Sequence, residues 1–237
     1  MRVAIVVPTY NESLNLPLLA PRVFAAQPEA ELIIVDDNSP DGTGDVAEGL
    51  AREHPGKVHV VHRRAKSGRG GAVLAGLIEA ANRPGYEFLC EMDADLSHQP
   101  EELARLLAVA DGADMIVGSR YLPGGRIEGW SWRRKVWSRL SNRLIKTVLG
   151  VPMSDFTNGY RVYSRAAVRH LAGLRLRETG YISLSEWAYA LHRRGMIIRE
   201  VPTTFINRRH GTSNMSASEA INALRGLIRM RRQLPHA

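Results

Sequence analysis

Apolar positions in the first half of the chain come in short unbroken runs. Each run is followed by a polar cluster and then by a stretch of helical spacing. Unbroken runs bounded by turn residues mark strands buried on both faces. They predict strands at Arg2 to Val7, Glu31 to Val35, Val58 to Val61, Tyr86 to Met92 and Met115 to Val117. Helices are predicted over Leu14 to Ala26, Asp41 to Glu53, Gly68 to Ala81 and Pro100 to Ala108. Pro17 and Pro100 stand near first turns, where a missing N–H costs nothing, and Ser39 or Asp41 can cap the second helix. Strands alternating with helical connections predict an α/β fold, a mainly parallel sheet with helices on both faces. Ligands of such sheets sit beyond the carboxyl ends of the strands. The polar clusters at 8–12, 36–39 and 93–98 all fall at such ends, which predicts one shared site.

Past residue 118 the rhythm changes. Tyr121 to Gly129 reads as a Gly-rich loop, Trp130 to Leu149 as a basic helix, and Asp155 to Tyr163 as a turn into a short strand. Tyr181 to Arg194 is helical in pattern, Met196 to Phe205 strand-like, His210 to Ser216 a polar loop and Ala217 to Arg232 a terminal helix. With no repeat and no clean linker, 1–237 reads as one domain with a change of character near 118.

Composition narrows the class. At 237 residues, 44% of them hydrophobic, the chain can bury a full core without staples. Its single cysteine, Cys90, excludes a disulfide framework and a cysteine-built zinc site. No apolar run is long enough to span a membrane, and the one at the start is too short for a secretory signal, so a cytoplasmic location is expected. Charge is unevenly shared. Residues 1–125 carry 11 Lys/Arg and 18 Asp/Glu, a net of −7; residues 126–237 carry 21 and 6, a net of +15. An acidic half can hold a metal; a basic half can hold phosphate, nucleic acid or a lipid surface, or can simply present solvated arginines.

The polar clusters carry candidate chemistry. Asp93 and Asp95, at i and i+2 on a strand end, can both turn toward a hard cation and leave positions for water and substrate phosphate. Asp95 or Ser97 can instead cap the helix near Pro100. Asp37 can accept hydrogen bonds from a ribose or base, or cap the next helix. Neither a G-x-G-x-x-G turn after the first strand nor a G-x-x-x-x-G-K-[ST] loop is present, which argues against a nicotinamide enzyme and a P-loop. Gly68-Arg69-Gly70-Gly71 fits a tight helix entry as well as a phosphate loop. Trp130 to Leu149 holds six Lys/Arg and no acid, with Trp137, Leu140, Leu144 and Val148 at helical spacing. Such a helix lies in a lipid interface or packs on the sheet, and the terminal helix poses the same choice.

Val6-Val7-Pro8-Thr9-Tyr10-Asn11-Glu12, Val35-Asp36-Asp37-Asn38-Ser39-Pro40-Asp41-Gly42-Thr43 and Met92-Asp93-Ala94-Asp95-Leu96-Ser97-His98 resemble the nucleotide-sugar domain of inverting, family-2 glycosyltransferases of the GT-A fold. Val117-Gly118-Ser119-Arg120-Tyr121, Glu128-Gly129-Trp130, Arg134-Lys135, Ser138, Asp155 to Arg161 and Val201-Pro202…Phe205…Arg208…Gly211-Thr212-Ser213 resemble the dolichol-phosphate (polyprenol-phosphate) mannose synthases. The resemblance implies a nucleotide-sugar and metal half at 1–118 and a basic acceptor half with interfacial helices at 119–237. It implies GDP-mannose as donor, a divalent metal (Mg²⁺ or Mn²⁺), and a polyprenyl or dolichyl phosphate as acceptor. Further implied partners are an anionic membrane surface on the cytoplasmic face and a membrane-anchoring protein; nucleic acid is not among them. Carried over by residue, Pro8, Tyr10 and Glu12 contact the nucleotide and Asp37 the guanosine side. Asp93, Ala94 and Asp95 form the metal and diphosphate segment, with Asp93 and Asp95 as ligands. Arg120, Arg134 and Arg208 face phosphates, with Ser138 beside them, and Asp95 and the three arginines carry catalysis. Three places depart from the pattern: Ser97 where some members have a metal-binding Gln, Asn214 where members commonly have Lys, and the 180–186 block. For a hydroxyl acceptor, Glu186 would be the base to nominate.

Overall fold

The computed structural model describes residues 2–64, 68–176, 178, 180, 182–207 and 226–231. Its strands are β1 (Val3–Thr9), β2 (Glu31–Asp36), β3 (Val58–His62), β4 (Phe88–Glu91), β5 (Met115–Ser119), β6 (Arg126–Glu128), β7 (Arg161–Ser164), β8 (Ile198–Pro202) and β9 (Thr204–Ile206). Its helices are α1 (Leu16–Ala26), α2 (Thr43–Glu53), α3 (Arg69–Asn82), α4 (Leu103–Leu107), α5 (Trp132–Leu149), α6 (Arg165–Ala172) and α7 (Ser183–Arg193), and residues 226–231 are also helical.

Seven strands form one sheet in the order β3-β2-β1-β4-β7-β5-β8. The apolar runs became β1, β2, β4 and β5, inside the sheet where both faces are covered, and the edge strand β3. Ile5, Val7, Ile34, Leu19 and Val23 belong to one buried cluster, and Val6, Val35, Val73, Leu77 and Trp187 to the other. α3 lies close against β1 and β2 because position 76 has no side chain: a Cβ on Gly76 would sit 2.7 Å from Val35 Cγ2 and closer still to Val6 Cγ1. β1 pairs with β2 from Ala4 opposite Glu31 to Thr9 opposite Asp36, and Met92 follows beside Val6. The carboxyl ends of β1, β2 and β4 therefore form one rim.

Several elements differ from the sequence reading. β7 is antiparallel to both neighbours, β4 and β5, so the sheet is mixed at its centre. α6 follows β7 without a gap, its first turn capped by Ser164 Oγ, which accepts Ala167 N–H at 3.0 Å. The stretch read as one strand, Met196 to Phe205, is two. Thr203 breaks it, donating its N–H to Ser119 O and accepting from Arg126 N–H, so β9 leaves the main sheet and pairs with β6. β6 itself lies inside the stretch read as a loop. The helix read from Pro100 to Ala108 is a 3-10 turn, Pro100–Glu102, followed by the short α4.

Candidate active site

Three loops leave the rim, and each holds one non-glycine residue at positive φ: Asn11 (61°), Asn38 (59°) and Leu96 (62°). Asparagine tolerates this region, but leucine is rare in it, and such strain collects where the surrounding structure imposes it, functional sites above all. The first two loops are stitched together. Asn11 N–H donates to Ser39 Oγ (3.1 Å), Glu12 N–H to Thr43 Oγ1 (2.8 Å) and Asp37 N–H to Thr9 O (3.1 Å). Pro8 lies in β1 opposite Val35, and Tyr10 stands partly exposed just beyond it. The Glu12 carboxylate accepts from Asn15 Nδ2 at 2.6 Å, and the buried Asp37 is paired with Arg63 at 2.5 Å. Pro8, Tyr10, Glu12 and Asp37 thus lie on adjoining segments.

Asp93 and Asp95 follow β4 on the third loop. Asp93 Oδ1 accepts from Arg69 Nε (2.9 Å) and Nη2 (2.6 Å). Arg69 Nη1 donates to Glu91, a fully buried carboxylate that also accepts from Tyr163 Oη at 3.0 Å. A Cβ on Gly159 would come within 2.9 Å of Arg69 Cζ, so the guanidinium has a built seat. The Gly68–Gly71 stretch thus carries a cation to the rim, a role its glycines concealed. Asp95 Oδ1 accepts from Ser97 N–H (3.1 Å) and Oγ (2.5 Å), so Ser97 orients Asp95. Ala94 is buried in the core. Among the described residues no group of three or more His, Cys, Asp or Glu could hold a metal. The half-buried Asp93 and the buried Asp95, which lines a cleft, nonetheless supply the hard oxygens that suit a Mg²⁺-like ion, which keeps waters and substrate phosphates in its shell.

The second half faces this rim with cations and rings. Arg120, 5% exposed, grips Asp155 through Nε (2.8 Å) and Nη2 (2.8 Å) and donates to Thr157 Oγ1 at 2.6 Å. Burial alone would raise the Asp155 pKa, but the Arg120 charge and hydrogen bonds hold it below the usual carboxylate range. Burial opposes the Arg120 charge; Asp155 more than offsets this, with a smaller contribution from Asp93. Arg120, expected to face phosphates, is thus largely spent on Asp155, a partner 35 residues away that sequence spacing could not reveal. Trp130 meets two guanidinium groups, with Arg134 Cζ 3.8 Å and Arg120 Cζ 5.4 Å from its ring, and Phe205 stacks edge-on to it. Ser138 accepts from Tyr121 Oη at 2.6 Å. Arg134 reaches Asn207 Oδ1 at 3.5 Å. Asn207 and Ile206 line a cleft of about 450 Å³ together with Asp95, Leu96, Leu18, Arg22 and Gln99. The two halves therefore meet across this cleft. Arg208 and Gly211 to Ser213 lie outside the described residues.

A sequence profile of glycosyl transferase family 2 matches residues 4–172. This chain belongs to glycosyl transferase family 2. It is 45% identical over 224 residues to the polyprenol monophosphomannose synthase of Mycolicibacterium smegmatis, covering 94% of this chain and 84% of that one. It is 44% identical over 216 residues to the undecaprenyl-phosphate mannosyltransferase of Micrococcus luteus, covering 91% and 88%. The fold matches glucosyl-3-phosphoglycerate synthase from Mycobacterium tuberculosis, a complex with Mn²⁺ and UDP, at TM-score 0.65 and 19% identity over 97% of this chain and 78% of that one. It also matches a Pyrobaculum calidifontis mannosyltransferase, a complex with GDP-Man and Mn²⁺, at TM-score 0.61 and 17% identity over 90% and 58%. The GT-A expectation holds, and the family-2 assignment makes the chain a glycosyltransferase.

The glycosyltransferase carries its basic helix on the outside. Ser131 Oγ caps α5 by accepting Arg134 N–H, and Gly150 ends the helix at φ 70°. Asn142, Ile145 and Leu149 are buried, while Trp132 (71% exposed), Val136, Trp137 (70%), Leu140 and Leu144 face outward. Of the four residues at helical spacing, Val148 packs against the core while Trp137, Leu140 and Leu144 are exposed. Beside it, Arg231 donates to Val148 O at 3.2 Å; Leu227 and Met230 are buried and Ile228 is exposed. Among the described residues no helix is long and apolar enough to cross a membrane.

Proposed function

We propose that this glycosyltransferase moves mannose from GDP-mannose to a polyprenyl monophosphate, inverting the anomeric centre and releasing GDP. The observation that carries this reading is the 45% identity to a polyprenol monophosphomannose synthase over 94% of the chain, with Asp95 and Asn207, the partner of Arg134, lining one cleft. Pro8, Tyr10, Glu12 and Asp37 hold the nucleotide. Asp93 and Asp95 would hold the divalent cation, Mg²⁺ or Mn²⁺, which when bound neutralises charge on the departing diphosphate. Arg134 and Arg208 bind phosphate oxygens, Arg being suited to paired contacts. Ser138, tied to Tyr121, holds the acceptor side. Arg120 adds a buried positive field near Asp93 and fixes the 155–158 turn.

The acceptor phosphate is already an anion, so its oxygen attacks the anomeric carbon without a protein base. Four of the six second-half acids make contacts that suit that chemistry. Asp155 is held by Arg120, Glu200 accepts from Ser154 and Asp155 N–H, Glu186 accepts Glu178 N–H at 3.1 Å, and Glu178 pairs with Arg229. Each is committed to structural contacts. The exposed stripe of α5, flanked by Arg133, Lys135, Arg139, Arg143 and Lys146, lies on an anionic membrane at its cytoplasmic face and brings the lipid phosphate to Ser138 and Arg134. A membrane-anchoring protein would add to that contact.

The test is incubation with a panel of labelled nucleotide sugars and polyprenyl phosphate, scored as lipid-extractable label. GDP-mannose should give label, and Asp95→Ala should lower it at least ~100-fold while weakening Mn²⁺ binding. Label only from another sugar, or full activity in Asp95→Ala, overturns the reading.

A further inference from the structure

His98 has no role in the chemistry above, yet it is 1% exposed and bonded on both ring nitrogens. Its Nδ1 accepts the N–H of Asp93 at 3.1 Å. The ring proton therefore sits on Nε2, which donates to Asn158 Oδ1 at 2.9 Å. The ring stacks on Tyr160, with centroids 5.1 Å apart and planes at 13°, and meets Phe205 edge-on. Asn158 continues the chain. Its Nδ2 donates to Gly118 O at 2.6 Å, and its backbone N–H donates to Asp155 Oδ1 at 3.1 Å, on the carboxylate that grips Arg120. One unbroken path of hydrogen bonds thus runs from the main chain of Asp93, through His98 and Asn158, to the Arg120–Asp155 pair.

We propose that His98 is a positioning residue: with Asn158 it fixes the distance between the Asp93–Asp95 segment and the Arg120–Asp155 segment, and so the alignment of donor and acceptor phosphate. This rests on the assignment of Asp93 and Asp95 to metal and diphosphate. The physical ground is that the segments are loops at the ends of different strands: Asp93–Asp95 follows β4, Arg120 follows β5, and Asp155 and Asn158 precede β7, which lies between those two. Backbone pairing sets the strands but not the loops beyond their ends. A two-sided imidazole, clamped by a ring on its face, holds both loops at once. Partners that orient metal ligands in this way are worth ~10–100-fold when removed.

The experiment compares His98→Phe, His98→Asn and His98→Gln in the full chain. Phe keeps the ring stack and loses both hydrogen bonds. Asn keeps the acceptor for Asp93 N–H and loses the reach to Asn158. Gln can reach Asn158 as Nε2 does. Calorimetric titration with GDP and Mn²⁺ counts competent sites, so turnover is expressed per site. The expected result is a His98→Phe kcat per site lower by ~10–100-fold, with the GDP-mannose KM changed less than about 3-fold, and Gln rescuing more than Asn. Combined with Arg120→Lys, His98→Phe should add little further loss, because both changes release the same alignment. Near-normal kcat per site in His98→Phe, or losses that multiply in the double variant, overturns the proposal. If His98→Phe does not fold, the pair Asn and Gln decides, and equal turnover in the two overturns it. Failure of the metal assignment shows separately, as unchanged Mn²⁺ binding in Asp95→Ala.

Discussion

Arg120 and Arg134 carry the same charge in different settings, and the difference sets what each substitution does. Arg120 is buried and bidentate on Asp155; Arg134 lies over Trp130 and donates to Asn207, which lines the cleft. Lysine keeps the charge but cannot form the paired contact. Arg120→Lys should therefore lower both activity and the melting midpoint, since it leaves a buried carboxylate half-satisfied. Arg134→Lys should lower activity with the midpoint nearly unchanged. Glu186→Gln should keep most of the chemical rate; a loss in the ~100- to 10,000-fold range of a missing base, with mild arginine variants, would favour a hydroxyl acceptor. Steady-state kinetics with thermal melts on the four proteins check this. At this scale the sequence showed residue types well. Asp93 and Asp95 were legible as a pair because they stand two residues apart just past one apolar strand. Arg69 was not, because a glycine-rich stretch reads as backbone geometry, while the guanidinium's partners, Glu91 and Asp93, lie on another element.

α5 separates two uses of one amphipathic pattern. Its buried side is narrow, Asn142, Ile145 and Leu149, and its large apolar residues face outward. A helix that merely packed on the sheet would bury Trp132 and Trp137. Their exposure predicts that replacing both by Ala leaves folding intact and weakens binding to anionic vesicles by at least ~10-fold, given the apolar area a Trp buries. Cosedimentation across a salt series measures it, and binding should fall as salt rises. The end of the helix at Leu149 was legible, while its start, read at Trp130, lies at Trp132, where Ser131 caps it. The split at Thr203 was not, because the residues that capture it, Ser119 and Arg126, are remote in sequence.

Across the whole molecule, two carboxylates far from each other tie the fold to pH. Glu31, at the start of β2, loses solvation on burial, which would raise its pKa; bonds from Tyr86, His59 and Arg2 more than offset this and hold it below the ordinary value. Asp155 is held down by Arg120. A depressed folded-state pKa gives stability that is present above the unfolded value of about 4 and is lost as pH falls through the folded one. The melting midpoint should thus be nearly flat between about pH 5 and 7 and fall below about pH 4. Glu31→Gln should be less stable than the parent at pH 7, the gap closing as pH drops through that range. Thermal melts from about pH 3 to 7 test it, and turnover at pH 7 should be unaffected because Glu31 lies away from the rim.

The apolar runs and their polar termini determined one rim and five strands, four of them buried and the fifth, β3, a half-buried edge, since an apolar run needs only local sequence to declare itself. The motif spacing was enough to place the chain among family-2 glycosyltransferases. Tertiary structure decided the rest. It inserted β7 antiparallel between β4 and β5, gave Arg120 to Asp155, and turned the tryptophans of α5 outward. Each of these is a contact between residues far apart in sequence, or a choice of which helix face the core can accept. Periodicity gives a face but not its partner, so only the packed molecule could settle them.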